Sequence, residues 1–440
     1  MEPSVLFLVD QKSPRLRYIL DVIGQSFWQQ EVDWTDQVSD FSQHRGPSIA
    51  YTQKPISATN QLWIPAGSFL HEKGIRPFIP AARVQNNSWQ LFPVDAPQAA
   101  LSFDIFSAIF YLISRYEEYL PFASDQHHRF PASESILRKA GRLQEPVVDE
   151  WLAQLSQIIH KKFPSWPLPA TRYSYLPSYD IDLAWAFKHR PWYRQISSAL
   201  KNSLRGDWFL EKLRWQTIYQ GSDDPFFTFP KMQRIHGKHE RAILFFLVGR
   251  YGPYDKNIDP GVPALKRLIQ SLDKHFEVGL HPSYRSNEEL EQLEREVKTL
   301  SKILGRPVEQ SRQHYLKLRF PQTYRGLIDQ GIKVDYSLGY ADDIGFRAGI
   351  ARPFHWYDLE QEIITPLKLV PFMAMDVTLL QLGDPESLRK PIFSMIQRTR
   401  AVGGQFCTLW HNNTLSDLPP FAPNWSAFYQ EVLSEARRSS

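Results

Sequence analysis

The chain has a single cysteine, Cys407, in 440 residues, so it has neither an internal disulfide framework nor a multi-cysteine zinc site. Long apolar runs are missing too. The longest, Ile243 to Gly249, is far short of the roughly 20 residues that a membrane span needs. The N-terminal MEPSVLFLVDQ has no basic region and too short an apolar run for a signal peptide, and reads as a first β-strand. These absences predict a soluble, cytoplasmic protein without a transmembrane segment. Charge of one sign is scarce as well. With 51 Lys and Arg against 47 Asp and Glu, the net +4 falls short of the concentrated positive patch of a dedicated nucleic-acid binder, and no nucleic-acid partner is expected.

Aromatic residues are plentiful, at 14% of the chain. They are core fillers first, and platforms for sugar rings second. A hydrophobic share of 42% and a charged share of 22% are ordinary globular usage, and the length suits two domains. Val5 to Val9 followed by Arg15 to Ile23 begins an α/β pattern. Short strand candidates, Gln61 to Ile64 and Trp89 to Pro93, alternate with proline-rich turns. The periodicity of Phe103 to Leu120 predicts a buried scaffold helix with Glu117 and Glu118 on a polar stripe. Adjacent His127 and His128 on a loop cannot easily face one ion together. The proline-spaced Phe163 to Arg172 reads as a linker, which divides the chain into an N-terminal α/β domain, 1–165, and a second domain, 166–440.

From Tyr173 onward strands alternate with helices, the pattern of βα units around a parallel sheet or barrel. The first strand ends in SYDID. Side chains alternate along a strand, so Asp180 and Asp182 point the same way at its C-terminal end. Seven basic residues between 188 and 214, interleaved with Trp192, Tyr193, Trp208 and Trp215, suit an anionic membrane surface or a phosphate-bearing substrate. The alternative is a solvated face on helices that cover the sheet. The strand before GLHPSY delivers His281 to its C-terminal end, where catalytic groups gather in βα architectures. RQHY then brings Arg312, His314 and Tyr315, a short strand presents Asp335, and QFCTLWHNN presents His411.

The order SYDID, FFLVG, HPSYRS, RQHY, the Asp335 segment and LWH resembles that of the polysaccharide deacetylase family, the NodB-homology group of carbohydrate esterases. The chain is also similar to a bacterial subgroup in which the deacetylase-like domain follows an uncharacterised N-terminal domain. This resemblance implies a distorted (β/α) barrel from residue 166 onward, one divalent metal ion, expected to be zinc, and removal of an N- or O-acetyl group from a glycan or glycan precursor of the bacterial surface. It implies Asp180 as the base, Asp182 and His281 as metal ligands, Arg312 as the group orienting the base, the backbone N–H of Tyr315 for the oxyanion, and His411 as the general acid. Asp335 is placed among the catalytic residues, and Tyr284, Arg347 and Trp410 in substrate binding; for Arg347 the alternative is a carboxylate pair that fixes a loop. The chain departs from the family three or four residues after His281, where a second metal histidine is replaced by Tyr284, Arg285 and Ser286. His314, standing where the family has proline, is the expected third ligand. Two other functions remain open: a metal-free barrel that binds a glycan or a partner, and a hydrolase of a non-sugar C–N bond.

Overall fold

The computed structural model describes residues 4–56, 61–85, 88–170, 172–204, 206–237, 240–416, 418–421 and 424–438. Strand β1 (Val5–Val9) is apolar throughout and almost wholly buried, as suits the middle of a parallel sheet. With β2 (Val32–Thr35), β3 (Ser48–Thr52) and β4 (Leu62–Pro65) it forms an all-parallel sheet in the order β2-β1-β3-β4. A hairpin, β5 (Ala82–Gln85) with β6 (Ser88–Leu91), follows. The scaffold helix is shorter than its periodicity predicts. Capped by Asp104, it runs Ile105–Ile113 with every residue buried, and the chain turns at Arg115, whose φ is 57°. Glu117 and Glu118 are therefore not a polar stripe; both are buried against the Arg115 guanidinium, at 2.8 and 2.7 Å.

The second sheet comprises β7 (Ser174–Ile181), β8 (Ile243–Phe246), β9 (Glu277–Leu280), β10 (Gln310–Ser311), β11 (Val334–Asp335), β12 (Phe354–Asp358), β13 (Ile363–Leu369), β14 (Ala374–Met375) and β15 (Gln405–His411). Its order is β12-β13-β11-β10-β9-β8-β7-β15-β14, and every pair is parallel except β12 with β13. No ladder among the described residues closes this sheet into a barrel. The gap is instead crossed by the segment after β13. Val370 and Phe372 donate to the carbonyls of Asp335 and Leu338, and Met373 donates to that of Cys407 on β15, so the sheet curls until its two flanks meet. Close approach inside the curl is enforced at Gly279, where a Cβ would lie 2.6 Å from the Phe245 ring.

The two sheets share one continuous apolar core, and buried ion pairs join them. Asp149 accepts from Arg352 and from the Ala351 N–H, both at 2.7 Å, and Arg15 is paired with Glu362. The GFRAGIARP stretch (345–353) is the seam of this packing. Arg347 is buried there, its guanidinium held by both oxygens of Glu118 at 2.9 and 2.5 Å and by the Gly339 carbonyl. Its expected place in substrate binding is thereby corrected: the charge is fully used inside the seam. Among the described residues, no helix is long and apolar enough to cross a membrane.

Candidate functional site

The C-terminal ends of the parallel strands bring the chemistry together. On β7, period-two alternation turns Ser178 and Asp180 to one side, where the buried Arg312 binds both: its guanidinium lies 3.0 Å from Asp180 Oδ1 and 2.7 Å from Ser178 Oγ, with a third bond to the Tyr336 carbonyl. Arg312 also lies over the Phe245 ring, 4.5 Å from its centroid. This rigid, desolvated setting fixes where the Asp180 carboxylate points. His281, the first residue past β9, faces both aspartates, with Nε2 3.6 Å from Asp180 Oδ2 and 3.4 Å from Asp182 Oδ1. His314 Nε2 lies 3.7 Å from the same Asp182 oxygen, and His411 Nε2 is 3.9 Å from Asp182 Oδ2.

Each imidazole is oriented from behind. His281 Nδ1 lies 2.5 Å from the Arg312 carbonyl, which can only accept, so Nδ1 carries a proton and Nε2 is the atom turned to the site. His314 Nδ1 is 2.8 Å from Asp255 Oδ1, an oxygen that also accepts the Tyr284 N–H. His411 Nδ1 is 2.7 Å from Asp376 Oδ1, and Asp376 Oδ2 accepts the His411 N–H and the Thr414 hydroxyl. Burial alone would raise the Asp182 carboxyl, but His314, His281 and His411 together hold it well below the usual range. Burial would likewise lower the two histidines. Asp182 and Asp255 outweigh it at His314, held up at about 9, and Asp376 with Asp182 and Asp180 outweighs it at His411, pushed up to about 10.

One atom is out of balance. Asp182 Oδ1 is buried and has no hydrogen-bond partner, which ordinarily carries a cost of about 1–3 kcal/mol. Asp182, His281 and His314 each offer one atom, and these three atoms lie within 4.8 Å of one another. A carboxylate oxygen and two imidazole nitrogens, each imidazole tied at Nδ1, are donors of the kind that a divalent cation takes. The residues present therefore fit a divalent cation. Beside them opens a cleft of about 210 Å³ lined by Asp182, Tyr254, Lys256, His314, Tyr315 and His411.

The cleft rim is held from the first third of the chain. Arg129 donates to the Tyr315 carbonyl at 2.7 Å, and the His127 ring packs on Tyr254, Tyr284 and Tyr315. Tyr315 and Leu316 both adopt left-handed φ, 59° and 53°, a costly pair of non-glycine conformations of the kind that concentrates at functional sites.

Three sequence assignments are placed elsewhere. Trp410 alternates away from His411, and its buried indole packs on Tyr429 and donates to Thr408, so it belongs to the core and not to the cleft. Asp335 is buried behind the site. It accepts from Ser311, from the Ser337 hydroxyl and from the Ser337 N–H, and burial pushes it up to about 6 against those bonds. None of its hydrogen bonds reaches the carboxylate–histidine group; Ser337 in turn accepts the Gln313 N–H, so Asp335 supports the loop that carries Arg312 and His314. Tyr284 stands behind Tyr254 and Tyr315, its hydroxyl 3.3 Å from His127 Nδ1. Asp255 was not singled out in the sequence. Its only local signal is an acidic residue in the loop after an apolar strand.

A family model described as a family of unknown function (DUF7033) matches residues 5–164. No curated protein matches the chain. Among solved structures the chain is similar to a putative polysaccharide deacetylase from Mycobacterium smegmatis, at 13% identity over 61% of this chain and 85% of that one, with a TM-score of 0.37. It is also similar to Puue allantoinase, at 13% identity over 62% and 87%, TM-score 0.40, and to a CE4 family pseudoenzyme from Bacillus anthracis, at 12% identity over 49% and 58%, TM-score 0.26. At such identities and scores, these likenesses assign no residue a role.

Proposed function

We propose that the chain is a metal-dependent hydrolase that removes an acyl group, N- or O-linked, from a glycan or glycan precursor. The observation that carries this reading is the buried Asp182 Oδ1, without a hydrogen-bond partner and facing Nε2 of His281 and of His314 at 3.4 and 3.7 Å. A divalent cation held by these three residues would polarise the acyl carbonyl and acidify a water. Asp180, fixed by Arg312, takes the proton of the attacking water. The charge that develops on the acyl oxygen meets the backbone N–H of Tyr315, and His411, protonated at neutral pH through Asp376, gives its proton to the departing amine or alcohol. Water is consumed, the C–N or C–O bond breaks, and a carboxylic acid leaves with the freed amine or alcohol. The glycan as acyl carrier comes from the order of the sequence motifs.

His314 is also what favours hydrolysis over a metal-free binding role, since it takes the place of the histidine missing after His281. Metal analysis of the purified protein, with a panel of acetylated sugars and small amides, tests the proposal. Asp180→Ala and His411→Ala should each lower turnover by about a hundredfold or more on the substrate found. Full activity in both variants, or a protein that binds no divalent metal, would refute it; preference for a small amide would move the substrate away from glycans.

A further inference from the structure

The insertion between β7 and β8 is an inside-out helical hairpin. Helices Trp192–Leu204 and Trp208–Tyr219 pack on each other through polar groups: Asn202 donates to Glu211 at 2.9 Å, and the buried Arg214 donates to the Gln195 carbonyl and to Ser198. Eight large apolar residues are instead exposed. Trp192, Ile196, Leu200 and Leu204 recur every fourth position along the first helix, and Trp208, Phe209, Trp215 and Tyr219 extend the patch along the second; each of the eight is between 56% and 80% exposed. The first helix buries no residue at all. A surface helix normally turns such a stripe to the core, and a contiguous exposed patch of this kind marks an interaction site.

Charge selects the occupant. Among the described basic residues from 188 to 214, Lys201 and Lys212 are exposed on the two helices, while Arg214 is buried between them. A second copy would set this pair of lysines against itself. An anionic lipid surface complements it, with tryptophan and tyrosine at the depth where amphipathic rings settle. The placement is also functional. Beneath the hairpin runs a groove of about 500 Å³ lined by Arg190, Arg194, Lys201 and Lys256, and it shares Leu183 and Lys256 with the catalytic cleft.

We propose that the hairpin 192–219 is a membrane-docking device that seats its apolar face in an anionic bilayer and opens the cleft beside the lipid surface. Docking itself is independent of the reaction. Resting on the hydrolase reading above, it favours an acylated substrate presented at a membrane over a free one.

The test is sedimentation of the full chain with vesicles of phosphatidylcholine alone or mixed with phosphatidylglycerol, beside light scattering of the protein alone. The protein should sediment with the mixed vesicles, less so as salt rises. The triple variant Trp192→Ser/Leu204→Ser/Trp208→Ser should lose binding about tenfold or more. Lys201→Glu and Lys212→Glu should each weaken it roughly fivefold. All five positions are exposed, so thermal melts should match the parent, and the single charge variants decide the matter if the triple variant does not fold. The proposal is overturned by no binding to mixed vesicles, by undiminished binding of the variants, or by a dimer that the triple variant abolishes while vesicles remain unbound. Loss of hydrolysis with vesicle binding intact would count against the enzymatic reading alone.

Discussion

Replacing Asp255 by asparagine probes whether His314 is held in place for a metal. The buried Asp255 carboxylate lies 2.8 Å from His314 Nδ1 and keeps Nε2 turned towards Asp182 Oδ1, 3.7 Å away. Removing such a partner typically weakens metal affinity about 10- to 100-fold, or about 1.4–2.8 kcal/mol. A second magnitude follows from the proton that a cation must displace. With His314 held at about 9 in the metal-free chain, binding at pH 7 works against about two pH units. Affinity should therefore rise about tenfold for each pH unit from 7 towards 9. The substitution also lowers the His314 pKa, so parent and variant are best compared at the alkaline end, where competition from the proton fades. Chelator competition with Zn²⁺ or Co²⁺ across pH gives the affinities, and calorimetry in two buffers of different ionisation heat counts released protons. The reasoning fails if affinity is flat with pH, if Asp255→Asn matches the parent, or if its effect persists undiminished in His314→Ala.

Asp376→Asn should lower the His411 pKa from about 10 by about one to three units, because the nearest raising charge is gone. A general acid works only while protonated, so the alkaline limb of the kcat/KM profile should move to lower pH by that amount. Asp149→Ala strands Arg352 in the seam between the two sheets and should cost about 3–5 kcal/mol of stability, read by chemical denaturation. Trp410→Phe should leave kcat/KM unchanged while shifting stability by about 1 kcal/mol, since only the bond to Thr408 and some packing are lost. Gly279→Ala should cost about 1–3 kcal/mol through the clash with the Phe245 ring, visible as a lowered Tm.

Much of the site was legible in the sequence because its residues sit at strand ends. Period-two alternation put Asp180 and Asp182 on one side, and apolar runs ending in histidine located His281 and His411. The same alternation, applied one residue back from His411, would have sent Trp410 to the opposite face. Asp255 escaped notice because a carboxylate in a loop has no periodicity, and its role exists only through the fold that brings it to His314, 59 residues away in sequence. Asp376 follows the short strand β14, and that the parallel pairing of β14 with β15 sets it under His411 is a matter of register. The helix of the first third was overextended for a related reason. Glu117 and Glu118 look solvated until Arg115 and Arg347, brought in from two directions, neutralise them inside the protein.

The sequence alone determined much of the local structure, above all the strands of the second sheet and which of their ends carry carboxylates and imidazoles, because side-chain period and apolar pattern are written within a few residues. Tertiary structure decided what each polar group does. A histidine becomes a metal-ready ligand only when Asp255 or the Arg312 carbonyl occupies its far nitrogen, and Arg347 becomes a rivet only when Glu118 meets it. Such pairings depend on desolvation and on distances of about 3 Å between residues far apart in the chain, which no local pattern encodes.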